Sequence, residues 1–411
     1  MKRLMVIVLA LSFAAPVFAG GGQEEGEEGI TIRLNQHGAN FLASLQEIVL
    51  DYPSVQPGVN VEVSRLGGDD FWAALRTVVA SGDVHDMFAM QAGSMFVDFQ
   101  DAGLIEPIDD LAVLDQYPDS ALEIGRIDGV QYGIPIGLLS MGVMYNVDIF
   151  EELDLEVPRT IGELEAVVEA VSDAGYTPFA GYYNDAWTLR HLFDMVHASV
   201  VGDPVTFVAE MASGTRDSFR VDGIDRALDV IDLMHANVQD RPFDATFGDA
   251  TALVGQSEAV MIIQGSWSLN GIRDVNPDFN PGFFGLPISD DPSDAKLAID
   301  SGVVWGVYAD SAHLEETKEF MNWITSLEQQ QRLGSDAGAL MLVNGYEATG
   351  PLAPVGADIQ DHIARGATHR WGFNKWPTGF DMDVVAPAMQ NYLRTNDRDA
   401  LFDEIDSQYP F

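Results

Sequence analysis

Residues 129–150, GVQYGIPIGLLSMGVMYNVDIF, constrain the fold more than any other part of this chain. Strand-like apolar pieces lie on both sides of Leu139–Ser140, and no helix-length segment separates them. Before this stretch the pattern is strand alternating with helix. Ile30–Leu34 alternates as a strand and stops at Asn35–Gln36–His37–Gly38; a helical stretch follows over about 40–52, then a strand at 59–63. Phe71, Trp72, Leu75, Val78 and Val79 are spaced for one helix face, and 86–90 is a short apolar run. Such alternation indicates a largely parallel α/β sheet. The extended stretch at 129–150 then reads as a crossing from one domain into another. At 411 residues, two domains are also the expectation from size.

Beyond the crossing, Thr160 with Glu163 three residues on marks a helix start of the capping-box type. The next 110 or so residues are helix-rich and end in an apolar strand at 259–263. Further extended pieces are expected at 282–288 and 300–307, and a helix at 314–327 with Phe320, Trp323, Ile324 and Leu327 on one face. Trp72 and Trp323, at helical core spacing, are assigned to structure.

The N-terminus has the form of an export signal, 1–19: Lys2 and Arg3, an apolar stretch from Leu4 to Phe13, and Val17–Phe18–Ala19 as a cleavage site. The apolar run is too short to span a bilayer. GGGQEEGEEG at 20–29 is a flexible leader. The chain has no cysteine, which excludes disulfides, thiolate metal sites, cysteine nucleophiles and a lipidated cysteine. An exported, periplasmic protein without a lipid tether is therefore expected. The formal charge of −43, which becomes −45 once Lys2 and Arg3 are removed, disfavours nucleic acid and anionic membranes as partners. Abundant Asp with only four lysines points to a salt-rich habitat, where screening tames the repulsion.

Three stretches resemble a known family. DGVQYGIPIGLLSMGVMYNVDIFEELDLEVPRTIGELEAVVEAVSDAGYTPFA carries a "YGIP…YN.D.F" pattern and a "P.T..EL" helix start, SEAVMIIQGSWSLNGI a strand ending in Gly-Ser-Trp, and SGVVWGVYADSAHLEETKEFMNWITSLEQQQRL a return strand with its helix. Their order and spacing, with VASGDVHDMF upstream, are similar to extracellular solute-binding proteins of ABC importers, the sugar-binding group related to maltose-binding protein. The resemblance implies an α/β two-lobe periplasmic-binding-protein fold of the type II kind, with crossover hinge strands and a ligand cleft between the lobes. It implies lobe one at 30–138 and 300–345 and lobe two at 139–299 and 346–411. It also implies a carbohydrate ligand, an ABC transporter permease as membrane partner, a monomer, and no cofactor, metal or catalysis.

A pyranose offers an apolar C–H face to an aromatic plate and a rim of hydroxyls to short polar groups. In open α/β sheets such groups sit just past the carboxyl ends of strands. Trp267, directly after the 259–263 strand, meets this best, and its small neighbours are expected to leave a ring face open. Trp305 stands between Gly302 and Gly306 on the return strand; core and cleft are equally good readings for it. Trp187 opens a helix, beside Asp185, which is placed either to accept from sugar hydroxyls or to cap that helix. Trp371 is preferred over Trp376 in an aromatic loop, and Arg370 is read as paired with a carboxylate. On lobe one the candidates are Gln36, His37 and Asn40 after the first strand and Gln91 and Ser94 after the third, with Met141 at the crossover.

Two alternatives stay open. A polyol phosphate or organic anion would use the same fold but wants an arginine fork, for which Arg190 and Arg370 are the only local choices. A secreted glycoside hydrolase needs only two carboxylates, which leave no local signature. Gly265–Ser266–Trp267–Ser268–Leu269 lacks the closing glycine of a nucleophile elbow. His191 and His197, six apart, do not form the i, i+4 metal pair.

Overall fold

The computed structural model describes residues 29–36, 41–65, 71–334 and 339–410. The expected signal and leader lie outside these, as do His37 and Asn40. The strands, in chain order, are β1 (Ile30–Gln36), β2 (Val59–Arg65), β3 (Met87–Gln91), β4 (Arg126–Ile127), β5 (Val130–Gln131), β6 (Ile134–Pro135), β7 (Leu139–Asn146), β8 (Thr177–Phe179), β9 (Ala259–Gly265), β10 (Pro281–Phe284), β11 (Leu297–Asp300), β12 (Val303–Val307) and β13 (Thr368–Arg370). They form two separate main sheets, ordered β2-β1-β3-β12-β6 and β13-β11-β7-β9-β8, with β10 also on β7 and β4-β5 a small hairpin. This is the two-lobe α/β architecture. Strands β3, β9 and β12 are apolar almost throughout because helices cover both faces, so no polar side is needed.

The stretch 129–150 does cross between sheets. Its first half, β6, pairs with β12 in the first sheet, and its second half, β7, pairs with β9, β10 and β11 in the second. Of the extended piece expected at 300–307, Val303–Val307 is β12, while Asp300 ends a separate strand, β11. β11 belongs to the second sheet and β12 to the first, with the break at Ser301–Gly302, where the Ser301 amide bonds Asp300 Oδ1 and its hydroxyl donates to the Val303 carbonyl. The two crossings run side by side. The Ile136 amide bonds the Val303 carbonyl at 2.9 Å, and Leu138 exchanges backbone bonds with Leu340 on a third connection.

Register places both sets of strand ends at this hinge. In the first sheet β1, β2 and β3 run parallel, and Gln91 at the end of β3 pairs with Val303. In the second, Gly265 at the end of β9 pairs with Met141, and Ile299 pairs with both Ser140 and Arg370. The carboxyl ends of the parallel strands in each sheet therefore converge on the hinge, where a ligand site in an α/β protein belongs.

Helix Ala186–Val201 is the spine of lobe two. Ten of its sixteen residues are buried, so it sits inside the lobe and not on its surface. The helix Ile161–Asp173 starts at Thr160, whose hydroxyl accepts the Glu163 amide at 3.1 Å; the Glu163 carboxylate reaches back to the Arg159 amide, one residue before the cap. In lobe one, Trp323 packs against Tyr52 and Phe320.

Candidate functional site

Three of the singled-out tryptophans meet in lobe two around His191, which sequence reasoning weighed only as half of a metal pair, and rejected as that. Trp267 follows β9, Trp371 follows β13, and Trp187 lies in the first turn of the spine helix. One turn on, His191 has ring centroids 5.4 Å from Trp187, 5.6 Å from Trp267 and 6.2 Å from Trp371. Trp267 and Trp371 meet edge to face at 6.2 Å, and Trp371 stacks on Phe373 at 5.2 Å. The one sequence signal for His191 is its spacing of four from Trp187, which puts both on one helix face.

Small residues beside Trp267 act differently from the expectation. A Cβ on Gly265 would stand 2.2 Å from the Trp267 ring. The glycine lets the indole lie back over its own strand, so one ring face is covered and the side chain keeps 8% exposure. Trp371 is anchored by its indole N–H on the Ala298 carbonyl at 3.1 Å, and its edge lies against Gly302 at the hinge. Trp376 is buried among Phe193, His197 and Phe219.

Asp194, two turns after Trp187 on the spine helix, sets the Trp371–Phe373 turn. Its fully buried carboxylate accepts the Gly372 amide at 2.9 Å and the Phe373 amide at 3.0 Å. Burial pushes this carboxyl up to about 8, against the lowering effect of those amides and of Arg190. The unfolded chain loses this proton near 3.8 and the folded chain keeps it to about 8, so this group's stabilisation is complete below about 4 and lost as pH rises to about 8. We therefore expect the melting temperature of the wild type, relative to Asp194→Asn, to fall as pH rises from about 5 to 8. A constant offset across that window would count against it.

Asp185 sits at the N-cap position of the spine helix without capping it; its carboxylate accepts the Phe247 amide at 2.6 Å and ties in the neighbouring helix Phe247–Gly255. Arg370 is paired with Asp300 at 3.0 Å, and Arg190 with Asp381. Met141 is buried in the middle of the second sheet.

On lobe one, Gln36 and Trp305 turn to each other. The indole N–H donates to Gln36 Oε1 at 2.8 Å with both residues fully buried, which places them in that lobe's core. Gln91 and Ser94 instead reach across to lobe two. Gln91 Nε2 donates to Asn374 Oδ1 at 3.2 Å, the Ser94 hydroxyl to the Trp376 carbonyl at 2.8 Å, and from the far side Thr378 donates to Asp98 at 2.6 Å. The lobes thus touch along a polar seam beside the aromatic cluster. Asn374 and Thr378 had no sequence signal, since their partners lie about 280 residues away.

The family model for bacterial extracellular solute-binding proteins matches residues 38–331. The multiple sugar-binding protein of Streptococcus mutans is 25% identical over 393 residues, covering 93% of this chain and 90% of its own. The maltotriose-binding protein of Pyrococcus abyssi is 24% identical over 318 residues, 74% of this chain and 64% of its own. Among solved structures, the solute-binding protein RafE in complex with raffinose shares the fold with a TM-score of 0.81 at 21% identity, covering 92% of this chain and 98% of that one. With a family model spanning well over half its length, and with two sheets hinged at their strand ends, this chain belongs to the bacterial extracellular solute-binding proteins.

Proposed function

We propose that this protein captures a neutral sugar or oligosaccharide between its lobes and delivers it to the membrane permease of an ABC importer. The observation that carries the reading is the cluster of Trp187, Trp267 and Trp371 at the hinge-side strand ends of lobe two. Aromatic plates take the apolar faces of sugar rings. A neutral ligand is favoured over an anion because Arg190 and Arg370 are already committed to Asp381 and Asp300. Contacts from both lobes, satisfied together only when these close, would favour the closed form that docks on the permease. No catalytic step is invoked. In this reading lobe one is 30–138 with 300–345, lobe two is 139–299 with 346–411, and the protein works as a monomer, exported by residues 1–19 into a salt-rich periplasm.

The test is a titration of the mature protein in high salt with raffinose, stachyose, maltotriose and a chitin oligosaccharide, followed by tryptophan fluorescence and calorimetry. One sugar class should give a saturable change. Trp267→Ala should weaken that binding by about 1–3 kcal/mol, the scale of one buried aromatic contact. A flat response from folded protein would overturn the sugar reading, and unchanged affinity in the variant would return Trp267 to a packing role.

A further inference from the structure

The polar network behind the aromatic cluster has a direction, and that direction fixes the chemistry of His191. Gln264, in β9, accepts the Gly265 amide on its Oε1 at 3.1 Å, and the same oxygen lies 3.0 Å from His191 Nδ1. Its Nε2 donates to the Tyr182 hydroxyl at 3.4 Å, and that hydroxyl donates to the Ile263 carbonyl. Turning the amide over would set its NH2 against the Gly265 N–H, donor against donor, so the oxygen must face Gly265 and His191. His191 Nδ1 must then carry the proton, which leaves Nε2 as a bare acceptor. Among the described residues no hydrogen-bond donor lies on Nε2, and it is not among the sealed, unpartnered atoms. His191 as a residue keeps 4% exposure, with its ring in the midst of the three tryptophans.

We propose that His191 is a further ligand-binding residue, whose Nε2 accepts a hydrogen bond from a ligand hydroxyl while the tryptophans hold the sugar ring. This rests on the sugar reading above. Positions that offer a hydroxyl here gain a partner, whereas a deoxy sugar leaves a desolvated acceptor unpaired, so His191 selects as well as binds. Burial first, and the neighbouring Arg190 second, hold the imidazole well below its ordinary range, so the acceptor form is the one present near neutrality. Gln264 is a positioning residue in this scheme, since it acts through the tautomer it enforces.

Two measurements on the intact protein test this. Long-range nitrogen–proton spectra of the ligand-free protein, with His191 assigned by its loss in His191→Phe, should show Nδ1 protonated and Nε2 bare. The Nε2 signal should move when the sugar that the wild type binds from the four-sugar panel is added. His191→Phe should bind that sugar about tenfold more weakly, with His191→Gln, which can present an oxygen near the same place, recovering part of the loss. An Nε2-protonated ring, or wild-type affinity in His191→Phe, overturns the proposal while leaving the sugar reading intact. A wild type that binds none of the four sugars overturns both.

Discussion

Gly93→Val is expected to lower ligand affinity about a hundredfold or more while the protein stays folded. Gly93 adopts φ +99°, and a Cβ there would stand 1.8 Å from the carbonyl oxygen of Asn374, which belongs to the other lobe. The three atoms nearest to that Cβ all belong to Asn374, so the clash exists only when the lobes meet. A valine would wedge the seam apart and break the bonds from Gln91, Ser94 and Thr378 beside it. If binding needs both lobes, disfavouring the closed state by roughly 3 kcal/mol removes about two orders of magnitude in affinity. The positive φ adds backbone strain of about 1–3 kcal/mol, so a second glycine at positive φ serves as a control. Gly103, in the same lobe at φ +69°, has open space where a Cβ would go. Gly103→Val should therefore carry backbone strain without the wedge. Calorimetry with the bound sugar, and solution scattering with and without it, should find Gly93→Val open and weak, and Gly103→Val closed and near wild-type. Equal affinities in the two variants would remove the seam from the closing mechanism.

The parts of this molecule that a linear reading reached are those where burial is recorded by periodicity. The crossing at 129–150 was legible because two apolar extended pieces without a helix between them have few other solutions. The strand ending in Gly265–Ser266–Trp267 was legible for the same reason, although the purpose of its glycine was not. A small residue beside a tryptophan says only that something comes close; the structure shows that the tryptophan itself does. The resemblance puts the return to lobe one at 299/300, but β11 was not legible as a strand, because its four residues carry too short a pattern to stand apart from the extended piece after them. Of the seam, Gln91 and Ser94 were legible as residues past a strand end, but Gly93, Asp98 and the partners Asn374 and Thr378 left no trace, because they meet only through the closure of the whole fold. Polar residues inside the spine helix, His191 and Asp194 among them, look like exceptions to an apolar pattern. Their meaning appears only when Gln264 and the amides of Gly372 and Phe373 arrive from other elements.

Arg190→Leu is expected to destabilise lobe two by about 3–5 kcal/mol, the cost of leaving one member of a buried ion pair alone. The Arg190 guanidinium pairs with Asp381 from 191 residues away, with side-chain exposures of 11% and 8%. It also lies over the Phe373 ring, 4.6 Å from the centroid. Leucine would replace some apolar packing but strand the Asp381 carboxylate where water is scarce. The double variant Arg190→Leu/Asp381→Leu removes both charges, so most of the loss should return, because a buried pair is often no more stabilising than apolar residues of similar size. Urea midpoints separate the cases, and urea is the right denaturant because guanidinium salt would screen the remaining acidic surface. Ligand binding should behave differently from stability. Phe373 stacks on Trp371, so losing the cation above it loosens the plate in both variants, and the double variant should regain its midpoint without regaining its full affinity. A double variant no more stable than the single would mean that the cost lies in the lost guanidinium packing and not in the abandoned carboxylate.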